Sequence, residues 1–193
     1  MNDAPNKLPF NRPSFKLVVV STQDGFIARY SGHPPHDWAS TEEQTVFFRE
    51  VDAADWGIMG RGTHEAVDRP ERRRIIFSTQ VDGAVWRRPT QLWINPEQAT
   101  LRDFTAHAAE RHKFEKGLIL GGTGVHDWFL AQNAIDEILL TIEPIRFGEG
   151  LPIFSTQDPA GPEKALAKLG FTLKEEQTLN AGGTRLLRFV LGD

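Results

Sequence analysis

Three groups of residues in this chain have the types and spacing to do chemistry. The first is a carboxyl among aromatics: Glu43 stands five positions after Trp38 and four before Phe47. Walled from water by Trp38, Phe47 and Ile142, such a carboxyl keeps its proton to higher pH and can serve as a general acid. Glu43 has a second reading, because Ser40-Thr41-Glu42-Glu43 is a capping-box pattern in which the carboxyl folds back on the helix start. The second group is Gly121-Gly122-Thr123-Gly124, between the apolar run Gly117-Leu118-Ile119-Leu120 and a helix-period segment from Val125 to Leu130. Glycines at a strand-to-helix turn admit a close ligand, and the open N–H groups of the helix start suit a phosphate. The alternative is a tight turn without a ligand: Asp127 stands where a dinucleotide fingerprint needs its third glycine. The third group, Gly60-Arg61-Gly62-Thr63, again follows an apolar strand and offers a guanidinium and a hydroxyl. Arg61 and Thr63 are phosphate ligands, or an exposed arginine and an ordinary cap.

Composition narrows the field. The 193 residues carry a net charge of −4, with 39% hydrophobic content, enough for one core. There is no broad basic field for a nucleic-acid backbone, although Arg69, Arg72, Arg73, Arg74, Arg87 and Arg88 form a local basic cluster. No cysteine is present, which removes disulfides, thiolate zinc sites and cysteine nucleophiles. His33-x-x-His36 sits in a proline loop without a third ligand, so no metal is expected. No stretch reads as a signal peptide or membrane span. A cytoplasmic protein acting on a small molecule is the resulting expectation.

Elements must position these groups. Residues 1–14, rich in proline and asparagine, read as a flexible arm, and 15–193 as a single domain. Phe15 to Ser21 has the unbroken apolar run of a central parallel strand. A turn at Gln23-Asp24-Gly25 leads to a short apolar return at Phe26-Ile27-Ala28. The helix opened by Ser40, a strand at Trp56–Gly60, a short helix, strands at Arg73–Ser78 and Gln91–Ile94, and a helix at Leu101–His112 follow. Strands at Ile135–Ile142, Phe171–Leu179 and Thr184–Leu191 complete the pattern, the last two flanking Asn180-Ala181-Gly182-Gly183 as an antiparallel hairpin. Strands alternating with helices, closed by a hairpin, give an α/β protein with a largely parallel, partly mixed sheet.

Taken together, the segments from about Phe15 to Phe154 resemble the dihydrofolate-reductase-like superfamily. Met59-Gly60-Arg61-Gly62-Thr63 is similar to its Gly-Arg-x-Thr phosphate turn, Ile76-Phe77-Ser78-Thr79-Gln80 to the strand end that holds the adenosine side of the cofactor, and Gly121 to Val125 to its Gly-Gly turn. The resemblance implies a three-layer αβα fold and NADPH as cofactor, bound by Ile27, Ala28, Gly60, Arg61, Thr63, Ser78, Thr79, Gly121, Gly122, Thr123, Gly124 and Val125. Ser78 and Thr79 would meet the 2′-phosphate, though hydroxyls at strand ends are also common without one.

Within the superfamily, Ser21 to Ala28, Asp136 to Pro144 and Gly148 to Phe154 resemble the pyrimidine reductases of riboflavin biosynthesis, the C-terminal reductase domain of the deaminase/reductase. That resemblance implies hydride transfer to the ribosylamino side chain of 5-amino-6-(5-phosphoribosylamino)uracil or a related small substrate. Trp38, Glu43 and Phe47 are similar instead to the pterin pocket of dihydrofolate reductases, with Thr141 matching the threonine that partners the acid. Dihydrofolate reduction is therefore the alternative, and a non-catalytic NADPH-binding domain a second one. Glu43 and Thr141 are the implied catalytic residues; Trp38, Phe47 and Arg72 the substrate-binding ones. The sequence departs from the pattern at Thr22-Gln23 in the opening loop and at His126, where dihydrofolate reductases carry tyrosine. It has no His-x-Glu or Pro-Cys-x-x-Cys zinc deaminase element, so a stand-alone reductase is expected. Related reductases pair through sheet edges, which implies a homodimer.

Overall fold

The computed structural model describes residues 12–156 and 161–192. Of the arm expected over 1–14, positions 1–11 lie outside the described residues; Arg12 pairs with Asp136 at 2.6 Å, and Ser14 already begins a strand. That strand, β1 (Ser14–Thr22), lies between β7 (Lys116–Gly121) and β8 (Glu137–Glu143) and is parallel to both. With neighbours on both edges and helices on both faces its middle must be apolar, and Leu17 to Val20 is buried as expected. Beyond β7 the parallel order continues through β3 (Trp56–Gly60), β4 (Arg74–Phe77) and β6 (Gln91–Ile94), closed by antiparallel β5 (Ala84–Arg88). On the other side, β11 (Arg185–Leu191) and β10 (Phe171–Thr178) form the antiparallel hairpin. A separate ribbon joins β2 (Phe26–Ala28) to β9 (Leu151–Pro152).

The sheet separates two cores. On one face α3 (Leu101–Ala109), α4 (Thr123–Ala131) and α5 (Pro162–Lys168) bring Phe104, Phe129 and Leu166 onto Phe15, Leu17 and Ile119. On the other face Val46 of α1 (Thr41–Ala53) packs on Val18, Leu118 and Leu139. Period-2 alternation along β8 therefore sends Leu139, Thr141 and Glu143 towards α1, and Ile138, Leu140 and Ile142 to the opposite core. Ile142, expected beside Glu43, is on the wrong face to reach it.

Three further elements differ from the sequence reading. Strand β5 was not expected, because an edge strand reading Ala-Val-Trp-Arg-Arg faces water and shows no clean alternation. Likewise α5 has only two turns and starts at a proline, and β9 has only two residues. The loops after β1, β3 and β7 all leave the carboxyl ends of neighbouring parallel strands, where the order changes direction at β1, and this is where open α/β sheets bind ligands.

Candidate active site

A cleft of about 1490 Å³ opens at that end of the sheet and runs down the α1 face. At its glycine end, β7 breaks at Gly121, whose φ of 101° lies in the left-handed region. A methyl group there would meet His126 Nε2 at 2.9 Å. The Gly121–Gly122 peptide bond is cis. Gly122 then caps α4 without a side-chain bond; the Val125 N–H returns to Gly122 O at 2.9 Å, and the Thr123 and Gly124 N–H groups are left open. A Cβ added at Gly122 or Gly124 would meet nothing within 4 Å, so backbone faces open space over the turn.

The run after β8 straps this turn in place. Thr123 Oγ1 donates to Pro152 O at 2.6 Å, His126 Nδ1 donates to Ile153 O at 2.8 Å, and Asp127 accepts the Ser155 N–H at 3.0 Å. Pro152 and Leu151 pair with Phe26 and Ala28, and Gly150 is needed there because a Cβ would lie 2.2 Å from Ala28 O. Asp127, which spoils the glycine fingerprint, thus acts as a brace. With Nδ1–H given to Ile153, His126 Nε2 is a bare acceptor with no partner. Burial pushes its pKa down to about 4, so the imidazole is neutral.

Of the cofactor residues expected from sequence, Ile27, Ala28, Gly60, Arg61, Thr63, Ser78, Thr79, Gly122, Thr123, Gly124 and Val125 line the cleft; Gly121, buried against His126, does not. Arg61 is half-exposed, 4.0 Å from Glu65, too loose an ion pair to hold it. Ser78 Oγ accepts the Gln80 N–H at 3.2 Å. The Thr123 hydroxyl is engaged by Pro152, so Thr123 offers a ligand its backbone rather than its side chain.

The acid end is assembled differently. Glu43 is 4% exposed and lines the cleft with Phe47. Its N–H is capped by Ser40 Oγ at 3.3 Å, but its carboxyl does not close the box. The Ser40 N–H goes instead to Glu143 Oε1 at 2.7 Å. Glu143 has taken over the carboxylate half of the cap and Glu43 is released to the cleft. Burial, and behind it the negative charge of Glu143, push the Glu43 carboxyl up to about 7.

Thr141 lies buried on the same sheet face, but no hydrogen bond joins it to Glu43 among the described residues. Trp38 stands outside the cleft lining, edge-on to Phe147 at 5.1 Å, with its indole N–H buried and unpartnered. Arg72 is on the rim, bound to Asp52 at 2.7 Å. Arg74 is turned away to Val67 O at 2.6 Å and His64. Glu143 was missed because its partners are distant in sequence. The only signal was a charged residue at the end of an apolar strand, one position before Pro144.

The family model of the RibD C-terminal domain matches residues 15–182. The chain belongs to the RibD C-terminal domain family. RibD-type domains form a reductase-like family of riboflavin biosynthesis. Protein YwjB of Bacillus subtilis (strain 168) is 31% identical over 154 residues, 72% of this chain and 80% of that protein. Acinetobacter baumannii RibD superposes with a TM-score of 0.71 at 18% identity, over 95% of this chain and 59% of that one. The chain thus spans under two thirds of full-length RibD. Enterococcus faecalis dihydrofolate reductase, complexed with NADP(H) and RAB-propyl, superposes with a TM-score of 0.62 at 18% identity, covering 93% and 97% of the two chains. These two likenesses carry the fold, a dihydrofolate-reductase-like αβα sandwich. No helix among the described residues is long and apolar enough to cross a membrane.

Proposed function

We propose that this RibD-type domain is an NADPH-dependent reductase acting on the ribosylamino side chain of 5-amino-6-(5-phosphoribosylamino)uracil or a related small substrate. The observation that carries the reading is a buried carboxyl, Glu43, that keeps its proton to about pH 7 in the same cleft as two open glycine turns. The residues fit the cofactor. Open N–H groups at α4 and free space over Gly122 and Gly124 would hold its phosphates with Arg61 and Thr63, and Ile27 and Ala28 would flank the ring end. Bound NADPH supplies the hydride.

Glu43 supplies the balancing proton: an imine-like C=N gains hydride at carbon and the Glu43 proton at nitrogen, leaving an amine and a carboxylate. Phe47 and the α1 face exclude water from that exchange. Arg72, already bound to Asp52, meets an anionic substrate group only by leaving that partner. A second reading, dihydrofolate reduction, draws support from Glu43 and Phe47 sharing one wall. A non-catalytic NADPH-binding domain would have no use for a protonated acid here.

Side-by-side NADPH oxidation with the ribosylaminouracil phosphate and with dihydrofolate tests the assignment. At least tenfold higher efficiency with dihydrofolate, about 1.4 kcal/mol in the transition state, would overturn it. Titration of NADPH fluorescence should show binding weakened by Arg61→Ala; no binding by the unaltered protein would remove the cofactor assignment. Homodimer formation is also proposed, although Lys174, Glu175 and Glu176 on the edge strand β10 disfavour strand addition there. Light scattering at the monomer mass of 21.7 kDa would remove it.

A further inference from the structure

Glu143, which shares Ser40 with Glu43, belongs to a hydrogen-bonded chain that starts in the C-terminal hairpin. Thr184 N–H donates to Asn180 Oδ1 at 3.1 Å, which fixes the Asn180 amide so that its Nδ2 faces Thr184 Oγ1 at 3.0 Å and Glu42 at 3.1 Å. Because the Thr184 oxygen accepts from Asn180, its own proton points to Glu143 Oε2, 2.6 Å away. The other Glu143 oxygen accepts the Ser40 N–H at 2.7 Å. Both oxygens of a side chain only 4% exposed therefore receive donors, the arrangement that stabilises a buried charge.

We propose that Glu143 is a positioning residue of this site: its charge, fixed by Thr184 and Ser40, holds the proton on Glu43 until substrate takes it. The inference rests on the reductase reading for its catalytic meaning, but the coupling itself does not. Ser40 ties the two acids together, its N–H donating to Glu143 Oε1 at 2.7 Å and its Oγ accepting the Glu43 N–H at 3.3 Å, and a like charge nearby disfavours ionisation of its neighbour. The other ionisable groups nearby are otherwise engaged. Glu42 turns out to Asn180, Asp24 binds Thr22 and the Phe147 and Gly148 N–H groups, and His33 accepts the Arg29 N–H at 3.2 Å. His36 stands beside Asp37 at 3.4 Å on the exposed loop. Among the described residues, Glu143 is the group whose charge bears on Glu43. The hairpin thus has a task beyond closing the sheet: it delivers a hydroxyl to the charge that tunes the acid.

The test is the titration of the Glu43 carboxyl by carbon-13 NMR, which needs no turnover, together with the pH profile of NADPH oxidation. Glu143→Gln should lower the Glu43 midpoint by on the order of one pH unit, and the alkaline limb of the activity profile should move with it. Thr184→Val keeps the hairpin and removes only the hydroxyl. With one of its two donors gone Glu143 is held less firmly and the Glu43 midpoint falls by a smaller step, which answers the question even where Glu143→Gln does not fold. An unmoved midpoint in the folded variants overturns the inference, with NADPH oxidation by the unaltered protein intact. A shifted midpoint without any NADPH oxidation upholds the coupling and removes the reductase reading instead.

Discussion

At each end of the cleft burial moves the pKa of an ionisable side chain, and it moves the two in opposite directions. At the acid end Glu43 is raised to about 7; at the glycine end His126 is lowered to about 4. Desolvation penalises charge of either sign, so near pH 6 the carboxyl carries a proton and the imidazole has none. One end is left with a donor and the other with a bare acceptor. The ends also differ in construction. The glycine end is braced by one short strap, residues 150–155, through Thr123, His126 and Asp127. The acid end gathers Ser40, Glu143, Asn180 and Thr184 from three separate stretches of chain. Backbone shapes the glycine end, whereas long-range side-chain bonds set the proton at the other.

Substitutions that disable one end and spare the other test this division. The largest effect should come from Glu43→Gln, with turnover reduced by about 100- to 10,000-fold and NADPH binding unchanged by fluorescence titration. Loss of NADPH binding in that variant would mean the ends are not separable. The same change should stabilise the fold at alkaline pH. The unfolded carboxyl loses its proton near 4.5 and the folded one near 7, so the native state binds more protons between these values and the stability it gains from the protonated acid is lost as pH rises through 7. Glutamine never ionises. Urea unfolding should find Glu43→Gln more stable than the unaltered protein at about pH 8, by on the order of 3 kcal/mol, and equal to it at about pH 4.

At the other end, Gly121→Ala places a methyl group against His126 and forces a side chain onto a positive φ. It should lower unfolding free energy by about 1–3 kcal/mol and weaken NADPH, while Glu43 still titrates as before. Arg61→Ala should raise the NADPH Kd by about tenfold, the worth of one charge-assisted hydrogen bond. The smallest change belongs to Arg72→Ala. Its exposed pair with Asp52 contributes at most about 1 kcal/mol, and NADPH binding should be unaffected.

The same division explains what could be read beforehand. Apolar β1, the glycine break after β7 and the Ser40 cap are local signals, and the parallel sheet, the hairpin and most of the cleft lining follow from them. Glu43 was visible in its aromatic spacing, but its freedom from the capping box was not, since that depends on Glu143 arriving from β8. Thr141 drew attention as the only hydroxyl within β8, although the group that acts on Glu43 lies two residues further along the same face. Ile142 was assigned to the acid on the strength of its type, and strand alternation places it in the other core. Edge strand β5 lacks an apolar period because water covers much of it, and α5 has only two turns in which to show one.

The most direct measurement is the rate of NADPH oxidation on the ribosylaminouracil phosphate as a function of pH, in the unaltered protein and in Glu43→Gln. A protonated Glu43 predicts a rate that is level at low pH and falls above about pH 7 with the slope of a single proton. The residual rate of the variant should show no such fall. A rate in the unaltered protein that stays level through pH 7, or a variant that keeps both rate and profile, would contradict the assignment of Glu43 as the proton donor.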